Sequence, residues 1–496
     1  MALKSILAID QGTTGSTCLM ISETGEVLSR GYREITQHFP RPGWVEHDAE
    51  EIFIRTVAAA KEAIAAAGVL PDAIGITNQR ETVVLWDRAT GVPVARAIVW
   101  QDRRTAARCA ELASRRGRIS ALTGLVLDPY FSATKLEWLL NEGGHRERAV
   151  AGELLAGTMD SWLVWRLTGG AVHATEPTNA SRTMLYDLES GGWSDELCSL
   201  FGVPRALLAE VRSSAGDFGE TTAELFGRSI PIRGIAGDQQ AALFGQGCFA
   251  DGQAKQTYGT GAFLLMHTGQ RRPPAEAGLL VTAACDGNGG RAFAMEASIF
   301  IAGAAVQWLR DGLGIIESSA ETEALARELD TTDGVYFVPA LAGLGAPHWE
   351  PGARGVITGL TRGTTRAHLA RAALEAMAYG TSDVLELMRE RSGASASSFE
   401  LLRVDGGASG NDWLLQFQAD VLDVPVERPD CVDTTALGAA GLAGIGAGIW
   451  ESGEEFVSSR RFDRFEPGVW RQAAEQGARE WQRAVNTALY WARHAG

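Results

Sequence analysis

No Cys-x-x-Cys pair, no excess of basic charge and no run of about twenty apolar residues occurs in this 496-residue chain, and each absence excludes a class. The six cysteines, at 18, 109, 198, 248, 285 and 431, are dispersed, which argues against a zinc site or a disulfide frame and for inert thiols in a reducing compartment. Acidic residues outnumber basic ones by 61 to 45, giving a net charge of −16 and excluding a nucleic-acid surface. The longest uncharged stretch, Thr434 to Trp450, falls short of a membrane span. Its glycines and alanines instead predict a helix packed closely on a sheet. The opening apolar run is too short for a signal peptide, so a cytoplasmic protein is expected. No low-complexity tract or flexible linker interrupts the chain. At this length about three domains, or two if they are large, are the expectation.

What is present begins at residues 6–17, Ile-Leu-Ala-Ile-Asp-Gln-Gly-Thr-Thr-Gly-Ser-Thr, a short apolar strand running into a turn of glycines and hydroxyls. The spacing puts Asp10 at the strand end. Gly12 and Gly15 can take positive φ and let the chain approach a ligand closely, with backbone amides free to face a phosphate. Thr13, Thr14 and Ser16 add hydroxyl donors. The lysine of a P-loop is missing, so this is not that motif. A carboxylate beside a phosphate is repulsive unless a divalent cation lies between them, so the turn calls for Mg²⁺ with a nucleotide. A tight hairpin turn with an Asp cap is the competing reading.

Strand-like runs at Ser5–Ile9, Cys18–Ile21, Val27–Tyr32, Ile74–Thr77, Val83–Asp87 and Ala97–Trp100 accompany helical patterns at about Ala49–Ala67 and Arg103–Arg115, which predicts an α/β chain. A second set begins after Gly247. There Gln256-Thr-Tyr-Gly-Thr-Gly-Ala-Phe-Leu-Leu repeats strand, Gly/Thr turn, strand, and Leu401–Asn411 gives a strand ending in Asp405 and a glycine pair. The repetition suggests two lobes, 1–247 and 248–496, with a nucleotide in the cleft between them. In Gly234-Ile-Ala-Gly-Asp-Gln-Gln a strand ends at Gly237 and Asp238 falls at or near a helix N-cap. In Ile76–Trp86, Arg80 and Glu81 lie between two apolar runs. A planar fork of donors beside two acceptors suits paired hydroxyls of a polyol, whereas a solvated charged turn is the plainer alternative.

Asp10–Thr14, Tyr258-Gly-Thr-Gly-Ala-Phe and Asp405-Gly-Gly-Ala, in this order, resemble the two phosphate loops and the adenosine loop of the actin-like ATPase superfamily. Further segments sharpen the match: Pro42-Gly-Trp-Val-Glu-His-Asp, Gly75-Ile-Thr-Asn-Gln-Arg-Glu-Thr, Asp128-Pro-Tyr-Phe-Ser, Asn179-Ala-Ser-Arg-Thr-Met-Leu and Gly343-Leu-Gly-Ala-Pro-His-Trp. With them the chain, from about Ile6 to Gly446, closely resembles the carbohydrate-kinase family named for its Phe-Gly-Gly-Tyr pattern. Within it the resemblance is to the members that phosphorylate glycerol. It implies two ribonuclease-H-like lobes about a cleft, and the reaction ATP + glycerol → sn-glycerol 3-phosphate + ADP.

By position, the resemblance makes Arg80, Glu81, Tyr130, Asp238 and Gln239 glycerol contacts, Trp100 and Phe263 apolar walls, and Asp238 the general base. Thr13, Thr14, Gly15 and Thr260 fall at the phosphates of ATP, and Gly303, Gln307, Gly407 and Asn411 at its nucleoside end. Asp10 and Asp238 fall near Mg²⁺. A homo-oligomer, dimer or tetramer, is implied as well. Thr17 stands where many members carry an arginine, which bears on nucleotide affinity. Ala223–Ile232 lacks the glycine-rich insertion tied to fructose 1,6-bisphosphate inhibition, and Glu224 replaces a phosphorylatable histidine, so neither control is expected. The alternatives are a kinase for another polyol or ketose and, in another class, an actin-like ATPase chaperone or filament protein.

Overall fold

The computed structural model describes residues 4–275, 278–392, 399–468 and 470–494. Strand Ser5–Gln11 is buried on both faces, as a central strand must be. It forms an antiparallel meander with Gly15–Ser22 and Val27–Glu34, while Ala73–Asn78 and then Ile232–Gly237 add parallel on its other side. The second half repeats this plan. Ala254–Tyr258, Ala262–His267 and Arg291–Ile299 form the meander, and Leu402–Gly406 and Val426–Pro429 continue the sheet in parallel. Leu280–Cys285 and Phe462–Phe465 close the two edges of this seven-stranded sheet. Two sheets of this topology are two ribonuclease-H-like units, the architecture of actin-like ATPases.

Helix Ala49–Ala67 matches its predicted bounds because both ends are written in the sequence: Asp48 accepts the Glu50 and Glu51 N–H groups, and Gly68 ends it at φ 71°. Its alanine stripe lies directly on the first sheet, so close that a Cβ at Gly31 would sit 2.1 Å from the Ala59 carbonyl oxygen. The predicted helix Arg103–Arg115 is instead a helix over Ala106–Glu111 and a single 3₁₀ turn, Ala113–Arg115. A small sheet inserted in the first half contains Val83–Asp87, Ala97–Ile98 and Leu154–Thr158.

The uncharged stretch forms helix Thr434–Gly446, which packs on helix Asp238–Gly245 and on the first sheet. Glycine makes that contact possible, since a Cβ at Gly438 would sit 1.8 Å from the Ala241 carbonyl oxygen. None of the described helices is long and apolar enough to cross a membrane.

Candidate active site

Each meander turns at a Gly/Thr pair. In the first, the Gly12 N–H donates to the Gly15 carbonyl at 2.9 Å; in the second, Gly259 donates to Gly261 at 2.8 Å. Neither Gly12 nor Gly15 uses the positive φ open to glycine. Space, not torsion, demands glycine at 15, where a Cβ would meet the Tyr32 ring and the Arg33 carbonyl at 2.7 Å. Thr14 and Thr260 are exposed at the tips of the two turns, and Thr13 is half-buried.

Gly303 and Ala304 sit against the second turn, donating to the Gly259 and Thr260 carbonyls at 3.1 and 3.0 Å. At the end of Leu402–Gly406, Gly406 has φ 86° and leaves no room for a Cβ, which would lie 2.2 Å from the Tyr258 carbonyl oxygen. Gly407 next to it faces open space. Asn411 caps helix Asp412–Leu422 through the Leu414 N–H at 2.9 Å. Gln307 is exposed at the end of helix Gly303–Gln307.

Arg80 and Glu81 leave strand Ala73–Asn78 in a sharp turn that holds Glu81 at φ 61°. They are not solvated: both are buried, and the solvated-turn alternative falls. Arg80 grips Glu296, from the second sheet, with both terminal nitrogens, at 2.7 and 3.0 Å. Its Nε reaches Asp238 Oδ1 at 2.9 Å. Arg182 bonds Glu81, approaches Glu296 at 3.3 Å and lies over the Tyr130 and Phe131 rings. Burial alone would raise the Glu296 pKa, but the Arg182 and Arg80 guanidinium groups overrule it and hold it at about 2. Burial also raises Glu81, against the pull of the same two arginines.

Asp238 opens helix Asp238–Gly245, one residue after the backbone cap Gly237, and accepts the Gln239 N–H at 2.7 Å. About a third of its side chain is exposed to the cleft. Trp100 packs edge-on against Tyr130 at 5.5 Å, and its indole N–H donates to Thr13 at 2.9 Å, tying this aromatic pair to the first Gly/Thr turn. Phe263 is half-buried on strand Ala262–His267, opposite Ser298. The Asp10 carboxyl is pushed up to about 7 by burial first, then by the like charges of Asp238 and Asp433, with Arg30 opposing. A carboxylate so placed is short of positive charge, which suits a divalent cation.

Sequence reasoning missed Arg182, Lys135, Lys255 and Glu296. The chain has only four lysines, and two of them are wholly buried here. Lys135 donates to the Tyr130 carbonyl, and burial lowers its pKa to about 7. Only Glu296 left a signal, and a faint one, as a lone charge inside the apolar run Ala292-Phe-Ala-Met-Glu-Ala-Ser-Ile; Lys255 and Arg182 lie among polar neighbours and Lys135 lies two residues from Glu137.

Gly/Thr turns on two like sheets, with a buried arginine–carboxylate cluster joining them, are the arrangement of a phosphotransferase. The N-terminal domain of the FGGY family of carbohydrate kinases matches residues 5–245 and the C-terminal domain residues 254–447, and the chain belongs to this family. The glycerol kinase of Rhodopirellula baltica is 52% identical, covering 99% of this chain and 92% of that protein. That of Deinococcus radiodurans is 53% identical over 98% of each. The crystal structure of Plasmodium falciparum glycerol kinase with ADP superposes with a TM-score of 0.93, at 35% identity and 98% coverage of both chains. A xylulose kinase structure from Lactobacillus acidophilus, at 19% identity and a TM-score of 0.88, shares the fold.

Proposed function

We propose that this chain transfers the γ-phosphoryl group of ATP to glycerol, giving sn-glycerol 3-phosphate, with Asp238 as the general base. The observation that carries the site assignment is the 2.9 Å contact between Arg80 and Asp238. It joins a guanidinium suited to polyol hydroxyls to the group that takes the proton. Glycerol kinases that are 52 and 53% identical over nearly the whole chain support the acceptor.

Phosphoryl transfer needs in-line positioning and charge stabilisation more than covalent help. Arg80 Nε lies 2.9 Å from Asp238 Oδ1, and the partly exposed Asp238 carboxylate accepts the hydroxyl proton as the new bond forms. Glu81, bonded by Arg182, offers acceptors to the remaining hydroxyls, Tyr130 and Gln239 are further contacts, and Trp100 and Phe263 wall the carbon chain. Thr13, Thr14, Gly15 and Thr260 hold the phosphates; Gly303, Gln307, Gly407 and Asn411 lie toward the nucleoside. Asp10 and Asp238 would hold Mg²⁺, which when bound neutralises phosphate charge. The lobes divide near Gly247, where φ is 76° just beyond helix Asp238–Gly245, and helix Thr434–Gly446 crosses back onto the first sheet. A homo-oligomer belongs to the same reading, and light scattering of the purified chain tests it.

The deciding experiment measures ADP release from MgATP with glycerol, dihydroxyacetone, xylulose, gluconate or no acceptor, with the product identified by mass. Strong glycerol-dependent release yielding glycerol 3-phosphate is expected. Release independent of any acceptor would make the chain an ATPase, and preference for a pentulose would reassign the acceptor.

A further inference from the structure

Gln239 projects from the first turn of helix Asp238–Gly245, beside the proposed base. Its Oε1 accepts a hydrogen bond from the ammonium of Lys255, on strand Ala254–Tyr258 of the second sheet. Lys255 is fully buried and also donates to Thr257 Oγ1 at 3.0 Å. An ammonium has three donors and no acceptor, so only the carbonyl end of a carboxamide can face it. The two ends of a glutamine are otherwise nearly interchangeable, and a flip would set donor against donor. Burial pushes the Lys255 pKa down, while Asp405, Asp238 and Glu296 pull it back up.

We propose that Lys255 is a positioning residue that locks the Gln239 carboxamide with its NH₂ toward the acceptor. This rests on the reading of Gln239 as an acceptor contact. Asp238 and Gln239 then present an acceptor and a donor side by side. A hydroxyl bound across them accepts from Gln239 and gives its proton to Asp238, so it is oriented before transfer. Because Gln239 comes from the helix that follows the last strand of the first sheet and Lys255 from the second sheet, the orientation exists only when the two are together.

The test is a double-mutant cycle with Lys255→Met and Gln239→Ala, using the acceptor that the substrate panel identifies. Lys255→Met is expected to raise the acceptor KM ~10-fold or more, with the ATP KM unchanged, since an unlocked amide leaves a buried partner unpaired. On the Gln239→Ala background the same change is expected to add nothing to the acceptor KM. Additive effects would overturn the proposal, because Lys255 would then act through something other than Gln239. Gln239→Glu guards against a variant that fails to fold: it keeps an oxygen for Lys255 and turns the donor into a charged acceptor. It should keep the thermal midpoint and raise the acceptor KM at least as much; an unchanged KM overturns the proposal. Failure of the functional reading looks different, as absent glycerol-dependent turnover in the unsubstituted chain.

Discussion

On one guanidinium, Arg80 gathers Glu296 through both terminal nitrogens, Asp238 through Nε and the Gln240 carboxamide at 3.2 Å. Arg80→Ala therefore does more than remove a hydroxyl reader. Removing one partner of a buried ion pair typically costs about 3–5 kcal/mol, so a lower thermal midpoint should accompany a glycerol KM raised well over tenfold. An unchanged KM in folded protein would take Arg80 out of the acceptor site. Asp238→Asn is the cleaner probe, since it keeps shape while weakening the proton acceptor. Turnover should fall by ~10²–10⁴ while calorimetry still detects MgATP binding. Near-normal turnover would remove Asp238 from the role of base.

At the scale of elements, the fold rests on backbones brought into contact by small residues. Helix Thr434–Gly446 meets helix Asp238–Gly245 at Gly438 and Gly245, where added Cβ atoms would lie 1.8 and 2.0 Å from carbonyl oxygens. Gly438→Ala must push apart the helix that carries Asp238 and Gln239. It should cost about 1–3 kcal/mol in urea unfolding and lower turnover, whereas the exposed, open Gly407→Ala should leave stability nearly unchanged. These elements were legible from composition: the small-residue stretch read as a close-packed helix, and the Asp48 and Gly68 signals bounded Ala49–Ala67. The two Gly/Thr turns were legible as well, although the crowding that demands glycine at 15 was not, because the approach of Tyr32 is a tertiary fact. Glu296 stayed hidden for a related reason. A single charge in an apolar strand reads as an exposed edge until the opposite sheet supplies Arg80.

For the whole molecule, Glu296 is where the second sheet grips residues of the first. Its folded pKa of about 2 lies below the ordinary 4.5, so its stabilising contribution is present above pH 4.5 and is lost as pH falls toward 2. Glu296→Gln should lower the thermal midpoint at pH 7, and the gap from the unsubstituted chain should narrow between pH 4.5 and 2.5. A gap independent of pH would mean that the carboxylate charge is not what joins the sheets. The bond from the Trp100 indole to Thr13 has another consequence. It links the proposed acceptor wall to the proposed phosphate turn, and the expected outcome is that calorimetry finds the two ligands bind with coupled affinities. Thermodynamic reciprocity then requires that glycerol change the dissociation constant of the nucleotide by the same factor by which the nucleotide changes that of glycerol.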